Sequence, residues 1–358
     1  MSGTPKKRYL VLENGRVFEG FAFGADAPAV GEVVFTTNMT GYLETVTDPS
    51  YEGQIVTQTF PLIGNYGVNP ADYESRQPFI KGYIVKEWCQ EPSHFACTGT
   101  LDAFFKHYNI PGLWGIDTRA LTKLIRTAGV LRGALTDDPA GVAAEDLLGY
   151  RIGDAVSRVS VTAPVRYPAK NARHRVLLWD FGVKDSSIRR LQDRGCDVTV
   201  IPAGWTAEQM IAEKPDGILF SNGPGDPEEN QGIIKAMQKL LQTDIAIFGI
   251  CLGHQLLALA NGGHTIKLKY GHRGGNHPAR DLVTGRTFIT SQNHGYAVEL
   301  DKLPANATVR YINANDGTCE GLDYTGFNGF SVQFHPEACG GPKDTEFLFD
   351  RFVKNMQK

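Results

Sequence analysis

The sequence has no apolar stretch approaching the roughly 20 residues that span a bilayer. Its opening, MSGTPKKRYLVLENG, turns polar where a secretory leader would carry an apolar run and a cleavage site. It has no excess of charge either: 36 Lys and Arg against 39 Asp and Glu leave a formal net charge of −3, which gives nucleic acid or an anionic membrane no electrostatic hold. Cysteine is sparse and never in a C-x-x-C pair. Cys89, Cys97, Cys196, Cys251, Cys319 and Cys339 read as reduced thiols, not as a disulfide framework or a zinc site. The chain also lacks internal repeats, low-complexity tracts and a G-K-[ST] phosphate loop. These absences lead us to expect a soluble, cytoplasmic chain.

What is present is enough apolar material for two cores. At 358 residues and 42% hydrophobic content, two domains are expected, with boundaries at 1–150 and 174–358 and a linker over 151–173. The first is β-rich and mixed. Two alternating runs between Tyr9 and Phe23 flank Asn14-Gly15, a hairpin signal. EVVFTT and QIVTQTF read as further strands. Helices are predicted over Leu101 to Tyr108 and from an N-cap at Asp117 to Ala128, with Gly129 as the stop. After TAPVRYPAKNAR the pattern becomes strand RVLLWD, helix SSIRRLQDR, strand DVTVI, helix AEQMIAE, strand GILFS, a helix around Ile233 to Leu241, strand IAIFGI and helix LGHQLLALA. Continuous apolar strands between short helices predict an α/β domain with a parallel sheet covered on both faces. Such sheets hold ligands beyond the carboxyl ends of their strands.

Three candidate elements fall at such ends. Cys251 stands between the run Ile245 to Ile250 and the helical run Leu252 to Ala260, with Gly249 and Gly253 permitting a tight elbow. A thiol at a helix N-terminus is favoured as thiolate, and the next backbone N–H can face a developing oxyanion. A buried structural cysteine is the competing reading of this context alone. His335 and Glu337, two apart after Gly329 to Phe334, point the same way on an extended chain, so the carboxylate can orient the imidazole as a base; an H-P-E surface turn is the alternative. Ser221-Asn222-Gly223-Pro224-Gly225-Asp226 makes a stiff loop whose N–H groups can converge on an anion. Among rival bases, His254 has no nearby acid to orient it, and His294 fits a substrate loop better. His264, His272 and His277 surround GHRGGNHP with no cysteine or carboxylate at ligand spacing, so a structural or substrate loop is expected and no metal.

Taken together, F-G-I-C-L-G-H-Q (Phe248 to Gln255), S-N-G-P-G-D-P (Ser221 to Pro227) and F-H-P-E (Phe334 to Glu337) resemble the triad class of glutamine amidotransferases. T-G-Y-L-E-T-V-T-D-P-S-Y (Thr40 to Tyr51), G-I-D-T-R (Gly115 to Arg119) and G-G-N-H-P (Gly274 to Pro278) extend the resemblance to the small, glutamine-hydrolysing subunit of carbamoyl-phosphate synthetase over essentially the whole chain. The resemblance implies Cys251 as nucleophile, His335 as base and Glu337 as its orienter. It implies glutamine binding by Ser50, Gly223, Gly225, Leu252, Gln255, Asn293, Gly295 and Tyr296, the last standing where the family commonly has Phe. It further implies a heteromeric large-subunit partner, which would bind ATP and Mg2+, and no cofactor in this chain. Another amidotransferase glutaminase and a stand-alone γ-glutamyl cysteine hydrolase are the alternatives. The first would lack the β-rich half, and the second would have no use for a large non-catalytic domain.

Overall fold

A computed structural model describes residues 5–338 and 340–357; Cys339 lies outside them. The chain divides into two compact units after Ile152.

The first unit is a closed seven-stranded barrel. Its strands in chain order are β1 (Lys7–Leu12), β2 (Val17–Gly24), β3 (Ala29–Thr36), β4 (Gln54–Gln58), β5 (Gly82–Val85), β6 (Pro111–Trp114) and β7 (Leu131–Thr136). Around the barrel they run β1-β2-β6-β5-β4-β3-β7, and β7 closes on β1. The β3–β4, β4–β5 and β5–β6 contacts are parallel. The β1–β2 hairpin forms as predicted, but at its turn only Gly15 takes a positive φ (79°), so the connection is not the mirror-image two-residue turn that Asn-Gly can make. α1 (Leu101–His107) and α2 (Thr118–Ala128) follow the predicted spans. Asp117 caps α2 by accepting from the Ala120 N–H at 2.9 Å, and Gly129 ends it at φ 98°. Ser50 sits in a buried single turn, Pro49–Tyr51, whose own N–H donates to Asp48 Oδ1 at 2.9 Å.

The second unit is built on a ten-stranded sheet. Its strands are β8 (Val165–Tyr167), β9 (His174–Asp180), β10 (Cys196–Pro202), β11 (Gly217–Phe220), β12 (Ala246–Ile250), β13 (Thr265–Asp281), β14 (Thr287–Val298), β15 (Ala307–Asn313), β16 (Cys319–Tyr324) and β17 (Gly329–Val332). The spatial order is β8-β10-β9-β11-β12-β17-β16-β15-β13-β14, and β10-β9-β11-β12-β17 form a parallel block. The helices between them are α3 (Asp185–Gln192), α4 (Ala207–Ala212), α5 (Gln231–Leu240) and α6 (Leu252–Ala260), with α7 (Phe347–Asn355) near the end of the chain. Both faces of the block are covered: Leu177 and Trp179 enter one core, Val176 and Leu178 the other. This explains the unbroken apolar strands in the sequence.

The stretch 151–173 is not featureless. It holds the short helix Ala155–Val159 and strand β8, which pairs antiparallel with β10 at the sheet edge. Asp180 Oδ2 accepts from the Val161 N–H at 2.7 Å, and Ser160 Oγ accepts from the Ala203 N–H at 2.9 Å, tying it to the second unit. The exposed side chains and prolines that gave it a linker's composition are also what an edge strand tolerates. Among the described residues no helix is long and apolar enough to cross a membrane.

Candidate active site

Four neighbouring strands of the parallel block deliver their carboxyl ends to one place. β9 leads to Asp180–Lys184, β11 to the Ser221–Asp226 loop, β12 to Cys251, and β17 to His335 and Glu337.

Cys251 is the N-cap of α6, with φ 53° and ψ −106°. A side-chain-bearing residue in this region of backbone space stores strain of about 1–3 kcal/mol, held only because its surroundings leave no alternative. Those surroundings are backbone: Cys251 N–H donates to Val332 O at 2.9 Å and Gly253 N–H to Ser221 O at 3.0 Å, so the elbow is pinned to both flanking strand ends. The glycines are required by close approach. A Cβ on Gly253 would lie 2.3 Å from Phe220 O, and one on Gly249 would lie 2.9 Å from Gly253 O. Gly223 is equally constrained, since its Cβ would meet Phe181 O at 2.2 Å, while Gly225 uses φ 89°.

His335 Nδ1 lies 2.7 Å from Glu337 Oε1, and both residues are buried. His335 N–H donates to Ser291 O at 2.9 Å, which fixes the backbone under the ring. Cys251 stands beside the imidazole and raises its proton affinity by its charge and by a side-chain hydrogen bond. The thiol also lies 3.6 Å from Asn293 O. A third charged group, which the sequence reading missed, stands beside the pair. Lys184 Nζ is 3.3 Å from Glu337 Oε1 and 3.2 Å from His335 Nδ1. Nothing about Lys184 in the sequence marks it except its place just beyond a parallel strand.

Burial and the Lys184 ammonium both lower the His335 pKa, but the Glu337 carboxylate and Cys251 outweigh them and raise it, which makes the ring a stronger proton acceptor than an ordinary imidazole. Burial pushes Glu337 up, and His335 and then Lys184 bring it down to about 2. A buried carboxylate held ionised against a protonatable imidazole is what a base and its orienter need. The rival bases lie elsewhere in function. Burial lowers His254 to about 3, and its Nδ1 is 2.8 Å from Ser331 Oγ, so it is a neutral link between α6 and β17. His294 is also pushed well down by burial, then by the charge of His272.

The remaining predicted residues of this unit lie on α6 and on β14. Leu252 opens α6. Gln255 Nε2 donates to Tyr296 O at 2.7 Å and to Gln333 Oε1 at 2.9 Å, so its amide braces the 293–296 segment of β14. Asn293 presents its carbonyl to the thiol, and Gly295 is near Arg273. The Tyr296 ring faces outward to Lys267, whose Nζ is 5.7 Å from its centroid, while its backbone carbonyl stays engaged. Ser50 belongs to the first unit, described above.

Residues 10–135 match the family described as carbamoyl-phosphate synthase small chain, CPSase domain, and residues 177–355 match class-I glutamine amidotransferase. The chain is 49% identical over 356 residues to the carbamoyl phosphate synthase small chain of Fusobacterium nucleatum subsp. nucleatum, covering 98% of each. It is 50% identical over 352 residues to that of Symbiobacterium thermophilum, covering 96% of each. It is 50% identical over 355 residues to the carbamoyl phosphate synthase pyrimidine-specific small chain of Bacillus subtilis, covering 98% of this chain and 96% of the relative.

Proposed function

Because the chain belongs to the carbamoyl phosphate synthase small chain family, we propose that it is the glutaminase subunit of that enzyme and that Cys251, His335 and Glu337 carry the chemistry. It hydrolyses L-glutamine to glutamate and ammonia, and the ammonia serves a large subunit that makes carbamoyl phosphate from bicarbonate and ATP in the cytoplasm, for arginine or pyrimidine synthesis. ATP and Mg2+ are bound by that larger chain.

The observation that carries the residue assignment is the delivery of Cys251, His335 and the Ser221–Asp226 loop by three adjacent parallel strand ends. The Cys251 thiol gives its proton to His335 Nε2, and the thiolate attacks the side-chain amide carbon of glutamine. The developing oxyanion is met by backbone N–H groups at Leu252 and the Gly223 loop. The imidazolium returns its proton to the amide nitrogen, the C–N bond breaks and ammonia leaves. A water then loses a proton to His335 and attacks the γ-glutamyl thioester, releasing glutamate and the thiol. Glu337 holds the Nδ1–H tautomer throughout. Lys184 opposes the imidazolium, so that proton return to the leaving nitrogen is not lost to an overly stable ion pair. Gln255, Asn293, Gly295, Tyr296 and Gly225 shape the glutamine site, and Ser50 is assigned to glutamine on the family resemblance alone.

Acid quench during turnover with glutamine, followed by peptide mass analysis, tests the intermediate. A γ-glutamyl group on the peptide containing Cys251 is expected. Its absence from that peptide under turnover, or its presence on another cysteine, would refute the assignment.

A further inference from the structure

Behind the 293–296 segment lies a cluster of buried titratable groups that the reaction above does not use. His272 on β13 is the register partner of His294 on β14. Its Nε2 is 2.8 Å from Asp316 Oδ2, and its Nδ1 is 3.7 Å from Glu320 Oε1 on β16. Glu320 has no exposed surface: Oε1 accepts from Asn313 Nδ2 at 2.9 Å, and Oε2 has no hydrogen-bond partner. The His272 ring stands edge-on to His294, with centroids 5.0 Å apart and planes at 84°. Both nitrogens of His294 are engaged, Nδ1 with Tyr296 O at 2.7 Å and Nε2 with Gln292 Oε1 at 3.0 Å. Tyr296 O is also the acceptor of Gln255 on the helix that starts at Cys251.

We infer that His272, clasped as an imidazolium between Asp316 and Glu320, is a positioning residue for glutamine binding: it backs His294 and so sets the 293–296 segment beside Cys251. The inference rests on the glutaminase reading above. Its physical basis is charge. Two carboxylates, one fully buried, need a cation, and His272 is the basic group that the structure sets within reach of both. His277, also within ring contact, is held neutral by burial and by His272, its pKa lowered to about 4. Burial, then the charge of His272, and least that of Arg273, likewise keep His294 neutral. Despite burial, Asp316 and Glu320 raise His272 itself to about 9. The donor atoms of His272, His294 and Glu320 lie within 4.8 Å of one another, which is close enough for a divalent cation to be considered. A metal would have to take a His294 nitrogen from Tyr296 or Gln292, whereas a proton on His272 satisfies the carboxylates and leaves every contact in place.

The test uses the complex with the large subunit and the variants His272→Asn, Glu320→Gln and Asp316→Asn. The last lies at the cluster's exposed side and removes one carboxylate without opening a buried void. At pH 7.5 each should raise KM for glutamine at least fivefold while kcat stays within about twofold, and synthesis from ammonium salt should be unchanged. In the parent, KM should rise as pH passes about 9, where His272 loses its proton. In Glu320→Gln and Asp316→Asn that rise should move to lower pH, since each removes a group that holds the proton. The amine of glutamine titrates in the same alkaline range in every sample, so the difference between variant and parent is the reading. An unchanged KM in Asp316→Asn, or an unmoved inflection in both carboxamide variants, would overturn the inference. So would one tightly bound zinc per chain that Glu320→Gln loses, because His272 would then be a metal ligand. A parent that does not hydrolyse glutamine at all would instead refute the underlying glutaminase reading.

Discussion

Glu337 is fully buried, and a carboxylate there would cost several kcal/mol if it stood unpaired. It is compensated by the ring of His335 at 2.7 Å and the ammonium of Lys184 at 3.3 Å, and this triangle sets the expected ranking of substitutions. His335→Asn removes the imidazole placed beside the thiol to take its proton and should lower kcat for glutamine hydrolysis by at least about 10³-fold. Glu337→Gln keeps a hydrogen-bond acceptor on Nδ1 and should lose less, because orientation is a smaller contribution than the base itself. Steady-state glutaminase assays of the two variants check this order, and a Glu337→Gln loss larger than that of His335→Asn would reverse the roles. The Cys, His and Glu were legible because they sit in short motifs at strand ends. Lys184 was not, because its partners arrive from a strand about 150 residues later in the chain, nor was the pairing of His272 with Glu320, which comes from a different strand.

At the scale of elements, the elbow between β12 and α6 works because no side chain intervenes at Gly253. Gly253→Ala would place a Cβ 2.3 Å from Phe220 O, so the backbone of β11 or α6 must shift. Overpacking of this kind costs about 1–3 kcal/mol, and here it should also lower kcat, since the displaced helix carries the N–H beside the nucleophile. Denaturant titration and the glutaminase assay should move together; loss of stability with full activity would show that the elbow's position is not critical. His254, in the same helix, gives a pH signature. It stays neutral in the fold down to about pH 3 but takes up a proton in the unfolded chain below about 6.5. Its contribution therefore lowers stability as pH falls through that window, by about 1.4 kcal/mol per pH unit. His254→Gln should flatten the fall between pH 6.5 and 5 and leave kcat within about fivefold. An equally steep fall in the variant would show that His254 is not the group responsible. The alternating elements of the second unit were readable from continuous apolar strands. The barrel was not, because its closure depends on parallel pairings among β3, β4, β5 and β6 that no local periodicity announces.

For the whole molecule, membership of the carbamoyl phosphate synthase small chain family, with its class-I glutamine amidotransferase half, assigns this chain the liberation of nitrogen from glutamine. That assignment makes the central claim separable in a single assay. The complex with the large subunit is reconstituted with parent or Cys251→Ser chain, and carbamoyl phosphate is measured with glutamine or with ammonium salt as the nitrogen donor. Serine preserves the shape of the elbow but replaces a readily ionised thiol with a hydroxyl of far higher pKa. Synthesis from glutamine should vanish in Cys251→Ser while synthesis from ammonium salt persists at the parent rate. Glutamine-dependent synthesis near the parent rate in Cys251→Ser would contradict the assignment of the nucleophile and, with it, the function derived for the second unit.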